Sequence, residues 1–191
     1  NGAWAPVYLI NKMLLGLSAA YTQCDLKEAL PMLIRLADWF GYQVLDKLTD
    51  EQIQQLLVCE HGSINESYVE AYELTGQERF LGWALRLNDR AMWVPLSEGK
   101  DILFGWHANT QIPKFVGALN RYRTLNGQML DGEEVDAEIY LEYVEAFWDM
   151  VVNKHTYITG GNSEWEHFGA DNILDAERTQ CNCETCNTYN M

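Results

Sequence analysis

The sequence predicts an all-α protein of helical-hairpin repeats that form part of an (α/α)6 barrel, or toroid, and three observations carry this. Apolar residues recur at three- and four-residue steps along most of the chain, the period of amphipathic helices. A unit repeats with it: Tyr21, Tyr72 and Tyr122 stand 51 and 50 residues apart, and so regular a period marks stacked helical pairs. Two connectors, "PLSEGKDILFGWHANTQ" and "KHTYITGGNSEWEHFGADNILDAERTQ", are too long for repeat turns. Long loops on a rigid scaffold are where function concentrates, and loops gathered at one end suit a closed toroid better than an open solenoid. Three pairs make half of a six-pair ring, so residues 1–191 read as a truncated barrel.

Taken in order, "NKMLLGLSAAY" and "LKEALPMLIRLADWF" form the first pair, with Pro31 marking a kink or a late helix start. "INESYVEAYELTG" and "ERFLGWALRLNDRAMW" form the second, "IPKFVGALNRYRTLNG" and "AEIYLEYVEAFWDMVV" the third. In each pair the first helix ends at its tyrosine, and "YTQCDLKEAL" aligns with "YELTGQERFL" across the turn.

Composition narrows the partners. Of the 191 residues 48% are hydrophobic, a globular content. A formal charge of −15, from 28 acidic against 13 basic residues, repels nucleic acid and anionic membrane and leaves neutral ligands such as carbohydrate. No apolar run reaches the roughly 18 residues that span a bilayer. Seven Trp and ten Tyr are many for this length; most belong in a core, although exposed aromatic faces also line sugar clefts. Five cysteines, three of them at 181, 183 and 186, make a poor disulfide scaffold and a better metal or thiol site.

Four stretches carry candidate chemistry. In "EHGSINES", Asn65 is placed to cap a helix or face a pocket, and His61 fits an ordinary exposed histidine equally well. "GWHANTQIPK" sets His107, Asn109, Thr110 and Gln111 beside Trp106, before Pro113 opens the next helix. So many polar groups suit a hydroxyl-rich ligand, since each hydroxyl stripped of water needs a partner. In "TGGNSEWEHF", Gly160 and Gly161 permit a turn that displays Glu164 and Glu166 beside Trp165 and Phe168. Apolar neighbours can raise a carboxyl pKa, as a general acid requires, so either glutamate is a candidate proton donor. "CNCETCNTYNM" offers Glu184 and Cys186, with Cys181 and Cys183 close by, a zinc-type set of thiolate and carboxylate. Its spacing is not that of a zinc finger, and it reads as half of a larger site.

The ordered run "EHGSINE", "TGQERFL", "EGKDILFGWHANTQIPK", "TGGNSEWEHF" and "CETCNTYNM" resembles the zinc- and cysteine-dependent β-L-arabinofuranosidases, retaining glycoside hydrolases, over essentially the whole chain. The resemblance implies an (α/α)6 catalytic barrel followed by β-sandwich domains, of which residues 1–191 would be the first part. It also implies a cysteine nucleophile held by a zinc ion on one Glu and three Cys, with a separate glutamate as acid and base. By position, the zinc ligands fall on Glu184 and Cys186, with Cys181 and Cys183 as possible surrogates. The acid/base falls on Glu166, and His107 matches a histidine that lines the family's sugar pocket; Trp106, Asn109, Gln111 and Glu66 are the further candidate substrate contacts. The family's nucleophile lies in a Cys-Cys stretch beyond Met191, so this chain is expected to be inactive alone and to self-associate through surface that further helices would cover. Asn11 and Ser63 depart from the family's usual His and Gly. Two other readings stay open: another (α/α)-barrel glycosidase that needs no zinc, such as a glycuronyl hydrolase, and a non-catalytic helical-repeat binding scaffold.

Overall fold

The computed structural model describes residues 4–130, 132–174 and 180–191. The described residues form helices α1 (Pro6–Cys24), α2 (Ala29–Gln43), α3 (Asp50–Leu56), α4 (Ile64–Thr75), α5 (Glu78–Arg86), α6 (Arg90–Ser97), α7 (Ala108–Leu125), α8 (Glu138–Met150) and α9 (Thr185–Asn190). A 3₁₀ turn at Leu45–Lys47, a π turn at Val151–His155 and a small hairpin of β1 (Met129–Leu130) with β2 (Glu133–Glu134) complete the order. No described helix is long and apolar enough to cross a membrane.

The repeat is real. Helices α1, α4 and α7 each end three residues after Tyr21, Tyr72 and Tyr122, and each packs against the helix that begins its second half, α2, α5 and α8. Side chains fix how the first helices lie together. Ser67 on α4 bonds Asn11 on α1, Asn65 Nδ2 donates to the Lys114 carbonyl of α7 at 3.4 Å, and Thr124 Oγ1 donates to Glu73 at 2.7 Å. Early residues pair with early and late with late, so, while α2 touches α5 and α8 packs on α6, α1, α4 and α7 run parallel as one row. Their N-termini, and the long loops that feed them, lie at a single end.

Local chemistry sets the element boundaries. Pro6 stands in the first turn of α1 and Pro31 in that of α2, where no intrahelical N–H is lost; Pro31 marks a late start, not a kink. Thr49 and Gln52 close a reciprocal capping box on α3, and Gly76, with φ 66°, ends α4 in the left-handed conformation that glycine adopts without strain. Two buried clusters form the core, one among α1, α2, α4 and α5 and one among α6, α7 and α8, with Tyr72 touching both. Phe115 and Phe147 stack at 3.9 Å to join α7 and α8.

The structure corrects four readings. The second helix of the middle pair is two, α5 and α6, broken at Leu87–Asp89, because α7 claims the break residues: Arg121 binds Asn88 and Lys114 Nζ meets Asp89 Oδ2 at 2.6 Å. Pro113 does not open α7; the helix starts at Ala108 and carries Pro113 inside it. His61 is 1% exposed rather than at the surface. Asn65 neither caps α4 nor faces an open pocket, since it is buried against α7 at Gly117.

Candidate active site at one end of the helix rows

Three loop segments lace together above the starts of α7 and α9. Gly105 N donates to Phe168 O and Phe168 N to Trp106 O, both at 2.9 Å, and Ala108 N donates to Glu166 O at 2.7 Å. On the far side, Trp165 N donates to Cys181 O at 2.8 Å and Cys183 N to Ser163 O at 3.3 Å. The segment around 163–168 therefore lies between 105–108 and 181–183, which brings residues far apart in sequence into one place. Beneath it, buried His155 joins Asp101 through Nε2 and Oδ2 at 2.8 Å and packs on Phe168. Asn187 Nδ2 ties α9 down by donating to Ser163 Oγ at 2.8 Å.

The middle segment turns at Trp165–Glu166. Glu164 and His167 exchange both backbone hydrogen bonds at 2.9 Å, and the two residues between them have φ of 48° and 66°. That is the pattern of a two-residue type I′ hairpin, a turn that favours Asn-Gly. Neither tryptophan nor glutamate sits easily in the left-handed region, and Ser163 and Cys183 beside them also have positive φ. Strain of this kind gathers where function over-determines the backbone.

The turn presents Glu166 outward. Its carboxylate stands 3.6 Å from His107 Nε2, and it shares a cleft of about 310 Å³ with Trp165, Cys181, Asn182 and Glu184. His107 is held for this contact: it is the N-cap of α7, its Nδ1 accepts from Thr110 N at 3.3 Å, and its ring meets that of His167 edge-on at 5.3 Å. Glu164 faces the other way and accepts from Tyr157 Oη at 2.8 Å; burial and this bond push the tyrosine's pKa up.

The remaining candidates distribute by depth. Asn109 accepts from Asn190 Nδ2 at 2.7 Å, linking α7 to α9, and Trp106 is partly exposed, at 43%. Gln111, one turn into α7, is buried with its Oε1 unpartnered. Glu66 lies in the first turn of α4; burial raises its pKa, against the opposing pull of Ser63 and Lys12. Neither Gln111 nor Glu66 lines the Glu166 cleft.

All five cysteines are free thiols. The Glu184 carboxylate close to Cys186 pushes the thiol pKa up, by its accepting oxygen first and its charge second. The other carboxylate oxygen, Glu184 Oε2, is buried with no partner. An orphaned carboxylate oxygen beside a thiol is a donor pair a soft divalent cation would fit. Among the described residues no three His, Cys, Asp or Glu side chains converge on one metal position; the pair would supply two of the four ligands that a closed zinc site needs. Cys183 packs its thiol on Gly161.

Trp165, Asn182 and His167 were not singled out in the sequence as site residues. The one available signal was their place inside the same motifs; which of them face a cleft is decided by the hairpin alone. The chain was compared with known proteins, and residues 1–191 match the family model described as "Beta-L-arabinofuranosidase, GH127 catalytic domain". No curated protein matches the chain.

Proposed function

Because the chain belongs to the GH127 β-L-arabinofuranosidase catalytic-domain family, a glycosidase family whose substrates are carbohydrates, we propose that it carries the acid/base and two metal ligands of a retaining β-L-arabinofuranosidase acting on plant glycans or glycoproteins. The helix rows are then a fragment of that family's (α/α)-barrel domain. The observation that carries the reading is the shared cleft: Glu166, displayed by a strained turn 3.6 Å from His107, opens onto the same space as Glu184, whose carboxylate lies close to Cys186.

Glu166 donates its proton to the glycosidic oxygen as the bond to the anomeric carbon breaks, then takes a proton from the water that releases the sugar. His107 holds the carboxyl in place and meets a sugar hydroxyl. Trp106 and Asn109 border the sugar, and Gln111, with its Oε1 unspent, and Glu66 serve deeper contacts. Glu184 and Cys186 hold zinc, which when bound lowers a thiol pKa enough to keep a cysteine nucleophile anionic at neutral pH. We propose that a cysteine outside these 191 residues supplies the nucleophile and that the chain by itself binds sugar without cleaving it. Cys181 and Cys183 are surrogate ligands at most.

The test is the Glu166→Gln substitution in protein that carries the nucleophile, assayed on β-L-arabinofuranosides with good and poor leaving groups. An acid catalyst predicts loss of about 10²–10⁴-fold on the poor leaving group and much less on the good one. Equal retention of activity on both sinks the assignment.

A further inference from the structure

The Glu164–His167 hairpin has a second face. There a cleft of about 390 Å³ is walled by Phe104, Trp165, Ile173 and Leu174, with Glu164, Tyr157 and His167 also lining it. Single exposed apolar residues are ordinary. Here four large ones, 70%, 58%, 53% and 43% exposed respectively, share one concavity of a size that holds a ring-sized ligand. Its polar groups are few and fixed: the Tyr157–Glu164 bond at 2.8 Å holds a carboxylate in place as an acceptor at the wall.

Trp165 lines both this cleft and the one that holds Glu166, and the two residues are neighbours in one turn. A glycoside reacting at the Glu166 carboxyl extends in two directions from its bridging oxygen. The sugar being released lies toward Glu184, and what is attached to the oxygen must pass the indole of Trp165. We propose that the Phe104–Trp165–Leu174 cleft is the leaving-group subsite, taking an aglycone that presents a flat apolar face, a pyranose or aryl ring, against the indole, with its hydroxyls turned to Glu164. This rests on the glycosidase reading above. It also gives the left-handed backbone of Trp165, φ 48°, a purpose: the strained turn places one indole between two clefts.

The test is calorimetric binding to the 191-residue chain itself, which needs no turnover. The probes are methyl β-L-arabinofuranoside, which fills only the Glu166 side, and 4-nitrophenyl β-L-arabinofuranoside, which fills both. The aryl glycoside binds about ten-fold more tightly, the scale of one aromatic contact. Phe104→Ala and Leu174→Ala each narrow that gap, by loosening the walls that press the ring onto the indole, and leave the methyl glycoside's affinity and the melting temperature unchanged. If the two glycosides bind alike, or the gap survives both substitutions, the subsite is wrong while the arabinofuranoside reading stands. If neither glycoside binds, the underlying reading fails and the subsite falls with it.

Discussion

Trp165 and Glu166 occupy the two central positions of a turn that would ordinarily carry Asn-Gly, and a left-handed L-residue there costs about 1 kcal/mol more than glycine. Glu166→Gly is therefore expected to stabilise the chain by about 1 kcal/mol, a rise in melting temperature of roughly 2–4 °C at this size, while abolishing any acid/base role. Calorimetric melting of the two forms checks it, and a lower melting temperature in the variant would show that the turn is not strained. Two glutamates beside aromatic residues were readable in the sequence as candidate acids. Which one opens onto the Glu184 cleft was not, because that depends on the hairpin register, which places Glu164 against Tyr157 and leaves Glu166 facing His107.

Among the elements, α7 is the organiser, and its buried polar residues show where helix boundaries come from. Lys114 reaches Asp89 at the break between α5 and α6, with His61 Nε2 3.7 Å away, while Arg121 is wholly buried, donating to Ala84 O at 2.7 Å and lying over the Tyr140 ring. Burial alone would push the Asp89 pKa up; His61 and Lys114 outweigh it and hold the carboxyl at about 2. Because that lies below its unfolded value, Asp89 contributes stability above about pH 4, on the order of 2 kcal/mol, and loses it as pH falls toward 2. His61, held neutral chiefly by burial, resists protonation and adds to acid sensitivity in the same direction. Denaturant titrations at pH 5 and pH 2.5 should show a smaller stability difference in Asp89→Asn than in the parent; equal differences would mean the carboxyl is not held down. Lys114→Met leaves Asp89 buried without its cation and should cost about 3 kcal/mol or more, read as a shift of the denaturation midpoint. The apolar period of "ERFLGWALRLNDRAMW" reads as one helix because nothing local reveals that Asn88 and Asp89 are claimed by a helix some 25–33 residues later.

For the molecule as a whole, the repeat was the most readable feature. Tyr21, Tyr72 and Tyr122 mark equivalent points in α1, α4 and α7 because each hairpin solves the same packing problem, and a period of this length survives local misreadings. The site was readable only as motifs. His107, Glu166 and Glu184 meet because three irregular segments exchange backbone hydrogen bonds, a pairing that leaves no period in the sequence. Surface chemistry also acts at this scale: Trp4, Leu9, Met13, Trp39 and Tyr42 near and along α1 and α2 are exposed. Apolar surface of that kind is proposed to drive self-association, so sedimentation equilibrium should find dimers or larger species that Trp39→Glu reduces; a concentration-independent monomer would rule this out.

The central claim is that Glu166 is the acid/base of a β-L-arabinofuranosidase. The most direct measurement is hydrolysis of methyl β-L-arabinofuranoside, followed by NMR, by zinc-loaded protein extended to include the nucleophile, with and without Glu166→Gln. The account predicts release of β-L-arabinose with retained configuration and a fall of about 10²–10⁴-fold in the variant. Parent-level turnover by Glu166→Gln, or parent protein that leaves the furanoside intact, would contradict it.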